Sequence, residues 1–225
     1  MKADLRIAIV IPALNEEATI AQVVARASAY GKVVVVDDGS RDRTASLATG
    51  AGAQVVHHPR NQGYEAALES GFREAARLGF EAVVTLDADG QHHPELIGRY
   101  ADLLREGYEL VLGVRAAPPR LAERIFAVYA RARYGVRDPL CGMKGYDLEL
   151  YRSLGHFDDC HSVGTELALL SVSAGRRFIQ VDIPISERRM GTPRFGSLLK
   201  ANWRVLRALG AVVLKDLPGA GERPT

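Results

Sequence analysis

Cysteine is nearly missing. Cys141 and Cys160 are the only two in 225 residues and neither has a CxxC partner, so neither a disulfide framework nor a cysteine zinc site is supported, and a reducing cytosol is the default compartment. Long apolar runs are missing too. No stretch approaches the roughly 20 residues that cross a bilayer. The segment Met1 to Pro12 has no basic start, long apolar stretch or cleavage site, so no span and no standard export signal is expected. Disorder and collagen-like repetition are excluded by composition. With 47% hydrophobic and 25% charged residues, the chain has the apolar mass of one globular domain with a sizeable core. No internal repeat, low-complexity tract or linker divides it, so residues 1–216 read as a single domain and 217–225 as a frayed tail.

A formal charge of +2 hides an asymmetry. Residues 1–114 carry 11 Lys/Arg against 16 Asp/Glu, net −5, and residues 115–225 carry 18 against 11, net +7. An acidic half followed by a basic half suggests a cation held in one and an anion in the other, with uneven surface decoration as the plain alternative.

The first half alternates strands and helices. Leu5 to Ile11, Lys32 to Val36, Gln54 to Val56, Ala82 to Leu86 and Glu109 to Leu112 are short, β-branched-rich runs, as expected of strands buried on both faces. Glu16 to Tyr30, Arg43 to Gly50, Gly63 to Leu78 and Pro94 to Glu106 read as helices. The fold class is therefore α/β, a mostly parallel sheet flanked by helices, and ligands of such sheets sit beyond the C-terminal strand ends. Past residue 115 the pattern loosens. Leu121 to Arg133 reads as a basic helix, Asp138 to Tyr146 as a strand or extended segment, Val163 to Ala174 as a helix, Phe178 to Ile185 as a strand and Ser197 to Lys215 as an amphipathic helix. In the last, Leu199, Trp203, Leu206, Leu209 and Val213 form the apolar stripe expected to pack on the sheet, with facing lipid as the alternative. Lys200, Arg204 and Arg207 lie on another face, suited to anionic headgroups.

The strand ends carry the chemistry. The run ending in Asp87-Ala88-Asp89-Gly90-Gln91 delivers two carboxylates and an amide oxygen, hard ligands suited to Mg²⁺ or Mn²⁺ completed by phosphate oxygens. Turn capping is the simpler use of the same residues. His92 and His93 come next and read as solvated loop histidines, with one of them reaching the metal or a phosphate as the alternative. A second strand ends in Asp37-Asp38-Gly39-Ser40, whose acids can accept from a ribose or base, with Asp42 or Ser40 capping the helix from Arg43. The first strand leaves through Pro12-Ala13-Leu14-Asn15-Glu16, where an extended segment can lie against a base.

These segments in this order, with Asn61-Gln62-Gly63 between them, resemble the family 2 glycosyltransferases of the GT-A fold. Gly113-Val114-Arg115, Arg137 to Lys144, Thr165-Glu166 and Ile183-Pro184-Ile185 leading to Arg188-Arg189-Met190-Gly191-Thr192-Pro193-Arg194 are similar to the dolichyl-phosphate mannose synthase branch, which glycosylates polyprenyl phosphates. Two departures stand out. Pro193-Arg194 replaces a common Ser-Lys or Ser-Arg, and the transmembrane helices that many bacterial relatives append are missing from this sequence.

The resemblance implies an inverting transfer from a UDP- or GDP-linked sugar to a polyprenyl phosphate. Pro12, Leu14, Asn15, Glu16, Asp38, Gly63, Asp87 and Asp89 would bind the donor, with Asp87, Asp89 and Gln91 on the metal. Arg115, Arg124, Arg188 and Arg194 would hold the acceptor phosphate, guanidinium groups matching phosphate oxygens bidentately. The implied catalytic set is Asp89, Arg115, Glu166, Arg188 and Arg194. A phosphate monoester with a pKa of about 6 is already an anion at neutral pH, so its oxygen needs no strong base. A hydroxyl acceptor on a glycan or lipid of the cell envelope, the alternative, would need Glu166 or Asp138 as base. Such an enzyme is expected in the cytoplasm, in peripheral contact with the membrane or a membrane partner subunit, with no nucleic acid as partner. The sugar, the base and the oligomeric state stay open.

Other classes fit less well. Asp87-Ala88-Asp89-Gly90 is similar to the first motif of haloacid-dehalogenase-type phosphatases, but four elements precede it here. The glycine-rich signature of a nucleotide-sugar pyrophosphorylase is replaced by Pro12-Ala13-Leu14-Asn15, and a dinucleotide GxGxxG is missing. A sugar-nucleotide-binding scaffold is the non-enzyme alternative.

Overall fold

A computed structural model describes residues 4–116, 120–159, 161–184 and 198–216. Its centre is a seven-stranded sheet in the order β3-β2-β1-β4-β6-β5-β7. The strands are β1 (Ile7–Ala13), β2 (Lys32–Asp37), β3 (Gln54–His57), β4 (Ala82–Thr85), β5 (Leu110–Arg115), β6 (Lys144–Asp147) and β7 (Phe178–Ile183). Pairing is parallel except that β6 runs antiparallel to both β4 and β5. β1, β2, β4 and β5 therefore end on one rim, and β6 begins there.

The helices are α1 (Ile20–Ala27), α2 (Thr44–Gly50), α3 (Tyr64–Arg77), α4 (Leu96–Arg105), α5 (Leu121–Tyr134), α6 (Leu148–Leu154), α7 (Glu166–Ser173) and α8 (Leu198–Asp216). Strand side chains alternate between faces, and both faces are apolar. Ile7, Ile9 and Ile11 join α1, α2 and α4 in one core cluster, whereas Ala8 and Val10 join α3, α5 and α7 in the other. Each fully buried side chain the size of valine or isoleucine contributes roughly 1.5–3 kcal/mol. At Gly71 in α3 a Cβ would overlap the Val10 side chain, so the helix sits directly on β1. The two edge strands are the exceptions to two-faced burial: β3 is exposed at Gln54 and His57, and β7 is only partly buried along most of its length and exposed at Asp182.

Several expected elements shift. α1 starts at Ile20 rather than Glu16, because residues 16–19 form a turn in which the Glu16 carbonyl accepts the Thr19 and Ile20 N–H groups at 3.1 and 2.9 Å. Of the strand or extended segment expected over Asp138 to Tyr146, the strand is Lys144–Asp147; Pro139 lacks the N–H a ladder needs. α6 was not expected, although Asp147 caps it by accepting the Glu149 N–H at 3.0 Å and left-handed Gly155 ends it.

The α8 stripe is out of register except at Leu209, which packs partly buried against the core, and the Leu199 side chain lies outside the described residues. Val205, Ala208 and Val212 are buried with Phe126 and Ala130 of α5, while Trp203 is 65% exposed and Leu206 is exposed as well. The helix packs beside α5, held from its polar side by Arg204, whose Nη2 donates to both Glu65 oxygens at 2.9 and 2.8 Å. Among the described residues no helix is long and apolar enough to cross a membrane.

Candidate functional site

The loops after β1 and β2 are laced together. Asn15, in the left-handed region at φ 52°, donates its N–H to Ser40 Oγ at 2.9 Å and accepts the Arg41 N–H at 2.9 Å. Glu16 N–H donates to Thr44 Oγ1 at 2.7 Å. Asp42 caps as expected, accepting from the Thr44 N–H at 3.0 Å. Burial works to raise its carboxyl, but the hydrogen bonds from Thr44 and Glu17 outweigh burial and hold it below the ordinary value. Pro12 is buried in β1 against Val36, and Leu14 is half-buried at the strand exit.

Asp38 organises the third loop. Its Oδ1 accepts from Gln62 N–H and His58 Nδ1, both at 2.8 Å, and its Oδ2 accepts from Gly63 N–H at 2.9 Å. These bonds use three of about four acceptor positions on a carboxylate. Gly63 has φ 101°, where a side chain would be strained. With Nδ1 carrying the proton, His58 Nε2 accepts from Ser70 Oγ at 2.9 Å. His58 was not among the expected site residues; its signal was an adjacent pair of histidines at a strand end.

Beyond β4, Asp89 is buried and accepts the Gln91 N–H at 3.0 Å. Asp87 is half-buried; Tyr64 Oη stands 3.5 Å from its Oδ1 and His92 Nδ1 3.6 Å from its Oδ2. His92 is not a solvated loop histidine as expected. Its side chain is 4% exposed and its Nδ1 has no hydrogen-bond partner, because the loop folds back on α1, with Thr19 Oγ1 donating to the Ala88 carbonyl at 2.7 Å. The orphaned His92 Nδ1 thus faces Asp87, and Asp89 and Gln91 follow Asp87 in the same loop beyond β4. Among the described residues no group of three or more His, Cys, Asp and Glu side chains is arranged as a closed, protein-only metal shell. Such a donor set fits a hard divalent ion that keeps positions for phosphate oxygens rather than a closed structural zinc.

The basic residues gather differently. Arg115, at the end of β5, donates from Nε and Nη2 to the two Asp138 oxygens at 2.7 and 2.9 Å and from Nη2 to Glu123 at 3.0 Å. Burial alone would lower its pKa, but the hydrogen bond and charge of Asp138 and the charge of Glu123 raise it, so the guanidinium stays protonated. Arg115 and Arg124 line one cavity of about 330 Å³ with Val114, Ala116, Ala127, Arg137 and Asp182. Arg137 was not among the expected site residues; its Nη1 pairs with Asp182 at 2.9 Å. Arg188 and Arg194 lie outside the described residues.

Asp138, the alternative base, is bound up in the Arg115 pair. Glu166, the other, belongs to a separate buried network, accepting from His156 Nε2 at 3.2 Å and from the Asp159 N–H at 2.7 Å. Lys144 is buried below Asp87 and donates to the Gly164 carbonyl at 3.0 Å. Burial pushes its pKa down, with Asp138, Asp158 and Asp87 among the groups opposing that shift.

An open α/β sheet with acids and arginines on one rim defines a nucleotide- and phosphate-handling enzyme class. Residues 8–163 match the family model described as glycosyl transferase family 2, and the chain belongs to that family. It is 30% identical over 92% of its length to the undecaprenyl-phosphate 4-deoxy-4-formamido-L-arabinose transferase of Pectobacterium carotovorum, covering 72% of that protein. An uncharacterised protein of Methanocaldococcus jannaschii is 31% identical over 78% of this chain and 79% of its own. Among solved structures, glucosyl-3-phosphoglycerate synthase from Mycobacterium tuberculosis, in complex with Mn²⁺ and UDP-glucose, superposes with a TM-score of 0.72 at 28% identity, over 92% of this chain and 80% of that one.

Proposed function

We propose that this glycosyltransferase moves a sugar from a nucleoside-diphosphate sugar to the phosphate of a polyprenyl phosphate, with inversion at the sugar carbon. One observation carries the reading: the Asp87/Asp89 pair and the arginine-lined cavity end on the same rim, and the cavity adjoins α5, whose neighbour is α8, helices with apolar side chains left in solvent. Val128 on α5 is 71% exposed and Trp203 on α8 is 65% exposed.

The Asp38 loop and the Pro12 to Glu16 segment receive the nucleotide, Asp38 keeping one acceptor position for a donor N–H or hydroxyl. Asp87, Asp89 and Gln91 would hold Mg²⁺ or Mn²⁺. A bound divalent ion neutralises the charge that gathers on the departing nucleoside diphosphate. Arg115, oriented by Asp138 and Glu123, lines the cavity, and Arg124 and Arg137 add charge for the acceptor phosphate. Positioning and charge neutralisation then supply most of the catalysis. Arg188 and Arg194 complete the proposed acceptor set. Peripheral contact with the cytoplasmic face of a membrane is consistent with the apolar side chains of α5 and α8 flanked by Arg124, Arg131 and Arg207.

A second reading rests on the solved neighbours, one of which is in complex with phosphoglyceric acid: the acceptor is then a soluble phosphorylated acid. The test is transfer of labelled sugar from a panel of UDP- and GDP-sugars with Mn²⁺ or Mg²⁺, offering undecaprenyl phosphate and phosphoglyceric acid in parallel. Label in the organic phase, lost in D89A, supports the lipid reading. Label that stays aqueous in a phosphoglycerate product refutes it. Equal, negligible sedimentation with neutral and anionic liposomes would remove the membrane contact.

A further inference from the structure

Gly142 presents a bare Cα to the Asp87 carboxylate. A Cβ at this position would overlap Oδ2 and stand 2.7 Å from both Cγ and Oδ1, closer than the 3.0 Å that real Cβ atoms keep. The backbone here is outside the left-handed region, so conformation does not demand glycine; space does. That space cannot be recovered by moving the backbone. Thr85 Oγ1 donates to the Gly142 carbonyl at 2.7 Å and accepts the Lys144 N–H at 3.1 Å, while the Gly113 N–H bonds the Met143 carbonyl at 3.0 Å. Asp87, in contrast, is 26% exposed and touched loosely, by Tyr64 at 3.5 Å and His92 at 3.6 Å. An added methyl displaces the carboxylate and leaves the strand in place.

We infer that Gly142 is a positioning residue for the cation site, its missing side chain being the seat of Asp87. The inference rests on the proposed reading of Asp87 and Asp89 as the carboxylates of that site. It gives the Cys141-Gly142-Met143 segment a role in the donor half, although the segment belongs to the other half of the chain. Its energetic logic is that of groups behind a metal ligand, whose loss typically lowers metal affinity ~10–100-fold.

The experiment titrates UDP and GDP calorimetrically into wild type, G142A and D89A, each with Mn²⁺ and with chelator. Wild type binds one nucleotide more tightly with Mn²⁺. G142A loses ~10–100-fold of that Mn²⁺-dependent gain while matching wild type in chelator, and D89A loses the gain as well. Melting curves separate fold from site: D87A/G142A melts with D87A, because removing the carboxylate removes the overlap. A G142A melting penalty that persists beside D87A overturns the inference. Full Mn²⁺-dependent gain in G142A, with D89A defective, overturns it alone. No Mn²⁺-dependent gain in wild type overturns the functional reading and this inference together.

Discussion

Replacing Asp138 by alanine tests how firmly Arg115 is held. Asp138 accepts three hydrogen bonds from Arg115, from the backbone N–H at 3.1 Å, Nε at 2.7 Å and Nη2 at 2.9 Å. The side chains are 3% exposed at Asp138, 5% at Glu123 and 16% at Arg115, so water and salt screen them little. Arg120 closes the group, donating to Glu123 at 2.6 Å, and two cations balance two anions. Alanine at 138 leaves one buried positive charge uncompensated, a loss worth about 3–5 kcal/mol in comparable buried pairs. At ~2–4 °C per kcal/mol for a chain of this size, D138A melts roughly 6–20 °C below wild type. Asparagine keeps the shape and one acceptor, so D138N falls between the two. Circular dichroism melts at low and high salt read the effect, which persists in salt because the group is buried. A shift under about 2 °C, or one that disappears at high salt, would show that the four charges act as a solvated surface cluster and that Arg115 is not fixed for phosphate binding.

Burial pushes the Cys141 thiol up to about 12, so at pH 8 only ~10⁻⁴ of it is thiolate, the reactive form; in a C160S background native protein should not react with a disulfide reagent until unfolded, and rapid labelling would refute this burial. The Glu65–Arg204 pair joins the first turn of α3 to α8. A double-mutant cycle with E65Q and R204Q should give a coupling of about 1 kcal/mol, and zero coupling would mean that the ion pair does not help hold α8.

The acidic side of the rim was legible because buried parallel strands write themselves as β-branched runs, and the residues just past such a run lie at the edge where ligands of these sheets bind. Asp38, Asp87 and Asp89 are located by that rule without any contact being known. The rule misses pairing across long separations. His58 meets Asp38 through the β2–β3 pairing, and the sequence distance of 20 carries no period. The α8 register fails for a similar reason: Leu206 and Val205 have equal claim to the core by spacing, and the choice goes to Val205 because Arg204 is drawn to Glu65. His92 looks like a loop histidine until Thr19 draws the loop onto α1.

The reversed strand β6 has the largest consequence for the site. Were β6 parallel, its start would lie at the opposite rim and Gly142 would be a strand length from Asp87. Running antiparallel between β4 and β5, it brings residues 138–144 to the rim where β4 delivers its acids, with Thr85 clasping Gly142 across 57 residues of sequence. The acidic half alone therefore contains both carboxylates but not the seat that fixes one of them. β4 without β6 would also be a bare edge. The family match, ending at residue 163, includes β6 and stops before β7 and α8. The acids after β4 and the Gly142 seat thus both lie within the matched residues, while the exposed apolar side chains of α8 lie beyond them.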